Sequence, residues 1–313
     1  MADEAPGRGF LHYNSLPAEQ DDGTGGLANA DLFWDIARGI KDGEPDKFMY
    51  STPSGSGSFF INYDSIIHQK PYTDKRITFK EVVLDYPDSP NQSDCTTTSG
   101  LDGFYIEDEQ GLKYHFEEKE RSNSRNIGGS YYNSFCYPTT WQMTEIKDNN
   151  SNLRVGFEYD SLYYSNVRLV PTIAGVNETI GSVQDYFLVK RLRKITHKQG
   201  SVEFIASTSE RKDLSGNYPL DRVIVKDTIG NTVKEYHFNY KYFTANALVD
   251  DGPGLSLSNQ NRLVLTSIEE VGSDGQALPP HVFTYDMTHF LPATDSYSKD
   301  HWGFYNGKNN QKL

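Results

Sequence analysis

The sequence predicts an all-β chain, mostly antiparallel, whose serial β-hairpins form an extended curved sheet or part of a shell, with little helix. Three observations predict this fold class. The 313 residues include 21 Tyr and 17 Phe, types that favour strands. Gly, Asn, Asp and Ser, the turn formers, are interspersed among them. One unit, made of an apolar run, a tight turn and an alternating strand, recurs five times between Gly103 and Asp286.

The chain begins with a segment of a different kind. Residues 1–45 are irregular and rich in Gly and Asp, and the stretch ANADLFWDIARGI (28–40) has apolar residues at helical spacing, which predicts one short helix. Residues 46–100 are then predicted to form N-terminal β-hairpins and a loop. DKFMYSTPSGSGSFFINYD (46–64) has strand-like runs around a Gly/Ser turn, whereas PDSPNQSDCTTTSGLD (87–102) has the composition of a loop.

Residues 101–313 carry the repeated hairpins. Their turns are predicted at Glu109-Gln110-Gly111, Asp148-Asn149-Asn150, Lys198-Gln199-Gly200, Ile229-Gly230-Asn231 and Ser273-Asp274-Gly275. Gly, Asn and Asp tolerate the positive φ that twisted hairpins need. Because a lone hairpin is marginally stable, we expect successive units to pair edge to edge in one continuous sheet over residues 100–290. A two-sheet sandwich with Greek-key connections would contradict this.

Composition excludes some partners. The formal net charge is −13; phosphate binding needs clustered Lys and Arg, so we expect no nucleic-acid binding. No apolar run is long enough to cross a bilayer, and we expect no membrane insertion. The start, MADEAPGRGF, lacks the order of a signal peptide, which leaves open a cytoplasmic protein or one whose leader has been replaced by Met1.

The candidates for catalysis are unconvincing. Asp300 and His301 are adjacent, so in a strand their side chains point to opposite faces and cannot act as a dyad. Acid pairs of the kind used in glycoside hydrolysis occur at Glu44/Asp46, Asp108/Glu109, Glu117/Glu118 and Glu269/Glu270. With 43 acids in the chain, such pairs arise by chance. We predict no catalytic residue.

Metal and cofactor sites are not indicated either. DNNSN (148–152) and DLSGN (213–217) are loosely similar to calcium loops, but both lack the closing bidentate Glu, and we interpret them as hairpin turns. The eight His residues show no ligand spacing. Cys95 and Cys136 lie in loop-like sequence; a disulfide between them and two unrelated thiols are both open. We predict no metal and no cofactor.

Aromatic residues are the remaining candidates for binding. Those beside loop-like sequence are Tyr131, Tyr132, Tyr163, Tyr164, Tyr242 and Phe243. A row of Tyr rings can stack on a sugar or a partner surface, although cross-strand core pairing is the favoured interpretation. In the terminal DHWGFYNG (300–307), we expect Trp302 and Tyr305 to anchor the last turn against the sheet.

Two features of the repeats carry a family resemblance. TEIKDNNSNLRVGFEYD (144–160) and TSIEEVGSDGQALPPHVFTYD (266–286) share an apolar-x-x-Ile opening, a turn and an aromatic-x-Tyr-Asp ending, which resembles the YD repeat of Rhs-type proteins. The ordered series over about residues 36–310, closed by DHWGFYNG, resembles the segment that precedes the YD repeats in large Rhs/YD-repeat-like surface proteins of Bacteroidetes. By this resemblance the chain is an upstream segment of such a protein or a short standalone relative.

The resemblance implies a secreted or cell-surface β protein whose hairpins form a shell, with roles in enclosing a toxin or in adhesion. The implied partners are other parts of a longer Rhs-like chain, or a surface protein or glycan. No catalytic residue of the family can be matched to this sequence. We therefore expect a non-catalytic structural or interaction module. A carbohydrate-binding or carbohydrate-degrading β protein, and a cytoplasmic immunity or chaperone partner of a toxin, remain the alternatives.

Overall fold

The computed structural model describes residues 46–62, 66–80, 101–127, 137–174, 177–244, 260–286 and, within 291–308, all but 295, 299, 301 and 303. The predicted helix within residues 1–45 therefore lies outside the described residues. The described residues fall into two compact units. One holds those up to 123 and those from 137 to 156; the other holds residues 124–127 and those from 157 onward.

The described part of the chain is almost entirely antiparallel β structure, as predicted, and contains no α-helix. Its strands are β1 (Lys47–Thr52), β2 (Gly55–Ile61), β3 (Ile67–Lys70), β4 (Arg76–Lys80), β5 (Gly103–Glu107), β6 (Lys113–Ile127), β7 (Tyr137–Lys147), β8 (Leu153–Ala174), β9 (Asn177–His197), β10 (Gly200–Ala206), β11 (Leu220–Lys226), β12 (Thr232–Thr244), β13 (Asn261–Gly272) and β14 (His281–Val282). No helix among these residues has the length and apolar character needed to span a membrane.

Strand order follows chain order. Strands β1–β3 form a small sheet, and β4 to β14 form an eleven-stranded sheet in which each strand is hydrogen-bonded to its neighbour in sequence, with an added β6–β9 pairing. The predicted continuous sheet of sequential hairpins is therefore confirmed for the described residues. Strand β8 begins in the first unit and continues in the second.

Aromatic side chains form the core of the first unit. Along β1 burial alternates strictly, so that Phe48 and Tyr50 point inward while Met49 is exposed. The Phe48 ring stacks on Phe59 with centroids 5.1 Å apart and lies 5.0 Å from Phe104 of the large sheet. Trp141 packs edge-on against Phe104 at 4.9 Å, and its Nε1–H donates to the Leu101 carbonyl at 2.9 Å. Offset and edge contacts of this kind stabilise a core beyond the area they bury.

The five predicted hairpin turns are confirmed. A residue with positive φ lies in or directly after each, and these residues are Gly111, Ser151, Gly200, Gly230 and Gly275. In the turn between β11 and β12, Gly230 has φ +90°, a conformation that costs little only for a residue without a Cβ. The turn chemistry that the sequence requires therefore sets the register of each hairpin.

Candidate functional site

Three of the five hairpin turns, and a further turn at residues 300–304, share one arrangement of a carboxylate. In each, an Asp at the first position accepts the backbone N–H groups of the residues two and four places later through Oδ1, at 2.9–3.0 Å. The backbone N–H of the same Asp donates to the carbonyl four residues on, at 2.8–3.0 Å. The four acids are Asp108, Asp148, Asp227 and Asp300. We call this five-residue unit the Asp turn.

In the turns that begin at Asp108, Asp148 and Asp227, these hydrogen bonds lower the pKa of the carboxyl group and so favour its charged form. For Asp108, burial disfavours ionisation, but amide donors from Leu112 and Gln110 and the Tyr114 hydroxyl outweigh it and lower the pKa. For Asp148, the Asn152 side chain and backbone donate to the carboxylate and lower its pKa. A carboxylate that is ionised and already accepts several hydrogen bonds is unsuited to act as a general acid.

The terminal motif DHWGF is one of these Asp turns. Asp300 Oδ1 accepts from the N–H groups of Trp302 and Phe304, both at 2.9 Å, and its own N–H donates to the Phe304 carbonyl at 2.8 Å. The Asp300 carboxylate thus closes a turn. His301 lies outside the described residues.

Other acids proposed as pairs also have structural partners. Glu117 accepts from the Tyr105 hydroxyl at 2.7 Å, and burial together with this bond raises the pKa of Tyr105 to about 12. Glu270 pairs with Lys234 at 2.7 Å across neighbouring strands, and this bond lowers the pKa of Glu270. Both carboxylates therefore stabilise cross-strand contacts.

The stretch DLSGN (213–217) lies in the connection of the antiparallel β10–β11 hairpin and contains a turn in which the Asn217 N–H donates to the Leu214 carbonyl at 3.2 Å, so its interpretation as a hairpin turn is confirmed. It belongs to an ordered loop of residues 207–219, hereafter the brace loop, whose ends meet through the Ser207 N–H and the Pro219 carbonyl at 2.8 Å. Asp213 receives two hydrogen bonds from Arg211, at 3.0 and 2.8 Å, and one from the Leu263 N–H at 2.9 Å. Asp213 thereby joins this connection to β13, since its partner Leu263 lies 50 residues away on that strand.

The Asp213 carboxylate is neutralised by an arginine and is not arranged as a calcium ligand. Among the residues that the structure describes, no group of three or more His, Cys, Asp or Glu side chains could hold a metal ion.

Two of the candidate Tyr residues, Tyr163 and Tyr164, lie next to Gly216 of the brace loop. Tyr164 stacks on Phe187 with ring centroids 4.9 Å apart, which is the cross-strand pairing favoured from the sequence. Tyr163 is 55% exposed. A Cβ on Gly216 would lie 2.8 Å from the Tyr163 carbonyl oxygen, so the loop is packed tightly against this strand. Tyr242, on β12, accepts from the Lys212 N–H through its hydroxyl at 2.9 Å.

The terminal aromatic residues are exposed, which corrects the expectation that they anchor the last turn. Trp302 is 78%, Phe304 71% and Tyr305 49% exposed. For Trp302 the reason is the turn geometry: the third residue of an Asp turn lies at its tip and is exposed to solvent, as Gln110 and Asn150 also are. The buried part of this segment is instead its base, where Ser296 and Ser298 are almost fully enclosed.

Sequence reasoning missed the brace loop and the exposure of Phe304. The Arg-x-Asp and Gly-x-Tyr-Pro sequence of residues 211–219 indicated a structured loop, but its contacts with β8 and β13 have no local signal. Four of the residues singled out from the sequence, Tyr131, Tyr132, Cys95 and Cys136, lie outside the described residues.

Comparison with known proteins yields no match to a family model, to a curated protein or to a solved structure. The resemblance to Rhs/YD-repeat-like proteins therefore stays a prediction that rests on the sequence motifs.

Proposed function

We propose that the chain is a non-catalytic structural and interaction module of a secreted or cell-surface protein similar to the Rhs/YD-repeat proteins. In this proposal, the serial hairpins scaffold a β shell or present loops to a partner. One observation carries it: the turn carboxylates, which are the side chains most suited to chemistry, close hairpins in a sheet whose strand order follows the chain.

Ion pairing along the sheet supports a scaffold role. On β9, Arg193 pairs with Glu158 at 2.5 Å, Arg191 with Asp160 at 3.4 Å, and Lys194 with Glu203 at 3.5 Å. A basic strand sequence is thereby matched by acids on the two neighbouring strands. Charge complementarity of this kind specifies which strands pair and in what register, while each exposed pair adds little to stability.

Cell-surface location is the part of the proposal that an experiment tests most directly. Intact cells of the organism that encodes the chain are treated with a biotin ester that cannot cross membranes, and the natural full-length protein is then recovered with an antibody. We expect biotin on the protein from intact cells, or the protein itself in the culture supernatant. A protein that is labelled only after lysis contradicts the surface location and favours the cytoplasmic immunity or chaperone alternative.

The absence of turnover needs its own measurement. The purified chain is incubated with a panel of oligosaccharides, and reducing ends are followed over a day. We expect no increase above that of the heat-denatured protein. Release of reducing ends that is abolished by Glu117→Gln, but not by Asp227→Asn, would instead identify a glycoside hydrolase.

A further inference from the structure

The outer edge of β13, which is the side of that strand away from β12, is only partly covered by β14. Alternate residues of an antiparallel strand hydrogen-bond to the neighbour on one side, and the residues between them turn their N–H and C=O groups to the other side. On the outer side, β14 pairs with Ser267 and Ile268, and the Phe283 N–H donates to the Thr266 carbonyl at 2.9 Å. The pairing with β14 does not extend along residues 261–265.

Along residues 261–265, two side chains occupy the positions that a strand would use. The Asp213 carboxylate accepts the Leu263 N–H through Oδ2 at 2.9 Å, and the Tyr285 hydroxyl donates to the Leu265 carbonyl at 2.8 Å. Leu263 and Leu265 are two residues apart, so both turn their backbone groups to the same, outer side of β13. A further strand at this edge would need these same two backbone groups.

The sequence of this stretch favours strand pairing. Residues 262–266 are Arg-Leu-Val-Leu-Thr, which contains three apolar residues and one β-branched Thr, and has no proline and no acid. An edge strand of this composition is a template for pairing with another chain. Proteins prevent such pairing by placing a charged side chain against the edge, and Asp213 is placed in this way.

The brace loop holds Asp213 at the edge. The Asp213 side chain is only 12% exposed and receives two hydrogen bonds from Arg211, at 3.0 and 2.8 Å. The Lys212 N–H donates to the Tyr242 hydroxyl at 2.9 Å, which fixes the loop over β12 directly beside Asp213. A second strand would have to displace a carboxylate that is held on both sides, and this disfavours pairing.

We propose that Asp213, together with Tyr285, prevents the outer edge of β13 from pairing with the same edge of a second copy of this chain. A second copy fits this edge because the stretch is self-complementary. In an antiparallel pair centred on Leu263, the two Leu263 residues meet and Arg262 lies opposite Val264, so like charges do not face each other. Such a pair is two-fold symmetric and closes with two copies. This inference goes beyond the proposed function and does not depend on it.

The test measures self-association of the full chain by sedimentation velocity, from about 5 to about 200 µM. The Asp213→Ala/Tyr285→Phe double variant frees both backbone groups of the edge. We expect it to self-associate at least about tenfold more tightly than the wild type. Asp227→Ala is the matched control for a loss of stability, because it removes a turn carboxylate from the same unit away from residues 261–265. This control should associate no more than the wild type.

Leu263→Pro distinguishes edge pairing from association through unfolding. Proline at this position lacks only the N–H that points away from β12, a place where an edge strand tolerates proline. Added to the double variant, Leu263→Pro should return self-association to the wild-type level. Hydrogen exchange gives a second readout: in the double variant the Leu263 amide should exchange faster than in the wild type at low concentration, and more slowly as the concentration rises.

Three outcomes would overturn the proposal. The first is a folded double variant that associates no more than the wild type. If circular dichroism shows that the double variant does not fold, Tyr285→Phe, which removes a single hydroxyl, takes its place in this comparison. The second is an increase that Leu263→Pro does not reverse, which would assign the association to another surface. The third is an equal increase in Asp227→Ala, which would assign it to partial unfolding.

Discussion

Replacing Asp108 by alanine is expected to destabilise the first unit more than the same change in another Asp turn. Asp108 is buried, and its carboxylate accepts the Gln110 and Leu112 N–H groups and the Tyr114 hydroxyl, each at 2.9 Å. The exposed Gln110 amide can be solvated by water after the substitution, whereas the hydroxyl of the almost fully enclosed Tyr114 cannot.

The magnitude follows from this difference. A hydrogen bond to a charged group contributes about 1.5–3 kcal/mol, and an unsatisfied buried polar group costs about 1–3 kcal/mol. The Ser54 hydroxyl lies within hydrogen-bonding range of Asp108 and Tyr114. It can therefore reduce the cost of leaving the Tyr114 hydroxyl unsatisfied. We therefore expect Asp108→Ala to lower the free energy of unfolding by about 3 kcal/mol.

The assay is urea unfolding, monitored by the fluorescence of Trp141. Trp34 and Trp302 are replaced by Phe so that the tryptophan signal comes only from the core of the first unit. Asp148→Ala is the matched control, because Asp148 closes the same kind of turn in the same unit. Its second oxygen is bound by the Asn152 amide and by the half-exposed Arg154, groups that water can solvate. We expect a clearly smaller shift of the unfolding midpoint for this control.

A double-mutant cycle with Tyr114→Phe isolates the buried hydroxyl. In the Tyr114→Phe background no hydroxyl is left unsatisfied, so the loss caused by Asp108→Ala should fall by about 1–2 kcal/mol. Equal losses in the two backgrounds, or a loss below about 1 kcal/mol for Asp108→Ala in the wild type, would refute the reasoning.

Two further predictions concern charge and packing. Asp102 lies between Lys119 at 2.5 Å and Lys80 at 2.8 Å, and hydrogen bonds from these two residues lower its pKa to about 2. Because the folded pKa is below the ordinary 3.8, its contribution to stability is present above about pH 4 and is lost as the pH falls toward 2; an NMR titration of the carboxyl carbon with a midpoint near 3.8 would contradict this. Gly216→Ala should lower the thermal midpoint more than Gly230→Ala, since both have positive φ but only the Cβ at 216 meets a carbonyl oxygen, at 2.8 Å; equal losses would show that the brace loop is not packed against β8.

The hairpin order could be predicted because its signals are local. A turn such as that at Gly230 needs a residue that adopts positive φ, and the flanking alternation of Tyr236 and Phe238 fixes which face is apolar. The role of the Asp at the first turn position also has a local signal in the sequence, the spacing Asp-x-x-Gly-x in residues 227–231 and 300–304.

What the sequence could not predict depends on distant contacts. The hydrogen bond from the Leu263 N–H to Asp213 joins a loop to a strand 50 residues later, and no local pattern encodes it. The exposure of Trp302 was predicted wrongly for a related reason: hydrophobicity alone favours burial, whereas the position within a turn decided the direction of the side chain.

In the Asp turn, the groups that stabilise the turn are different from the side chains that it exposes at its tip. Hydrogen bonds from a carboxylate to two amides act only on the backbone, so the identities of the second and third residues do not affect them. In the turn at Asp148 those two residues are both Asn, and in the turn at Asp227 they are Thr and Ile, yet the donor–acceptor distances at the turn acid differ by no more than 0.1 Å. A chain of such turns can therefore change what it displays at each tip without loss of the sheet that supports it.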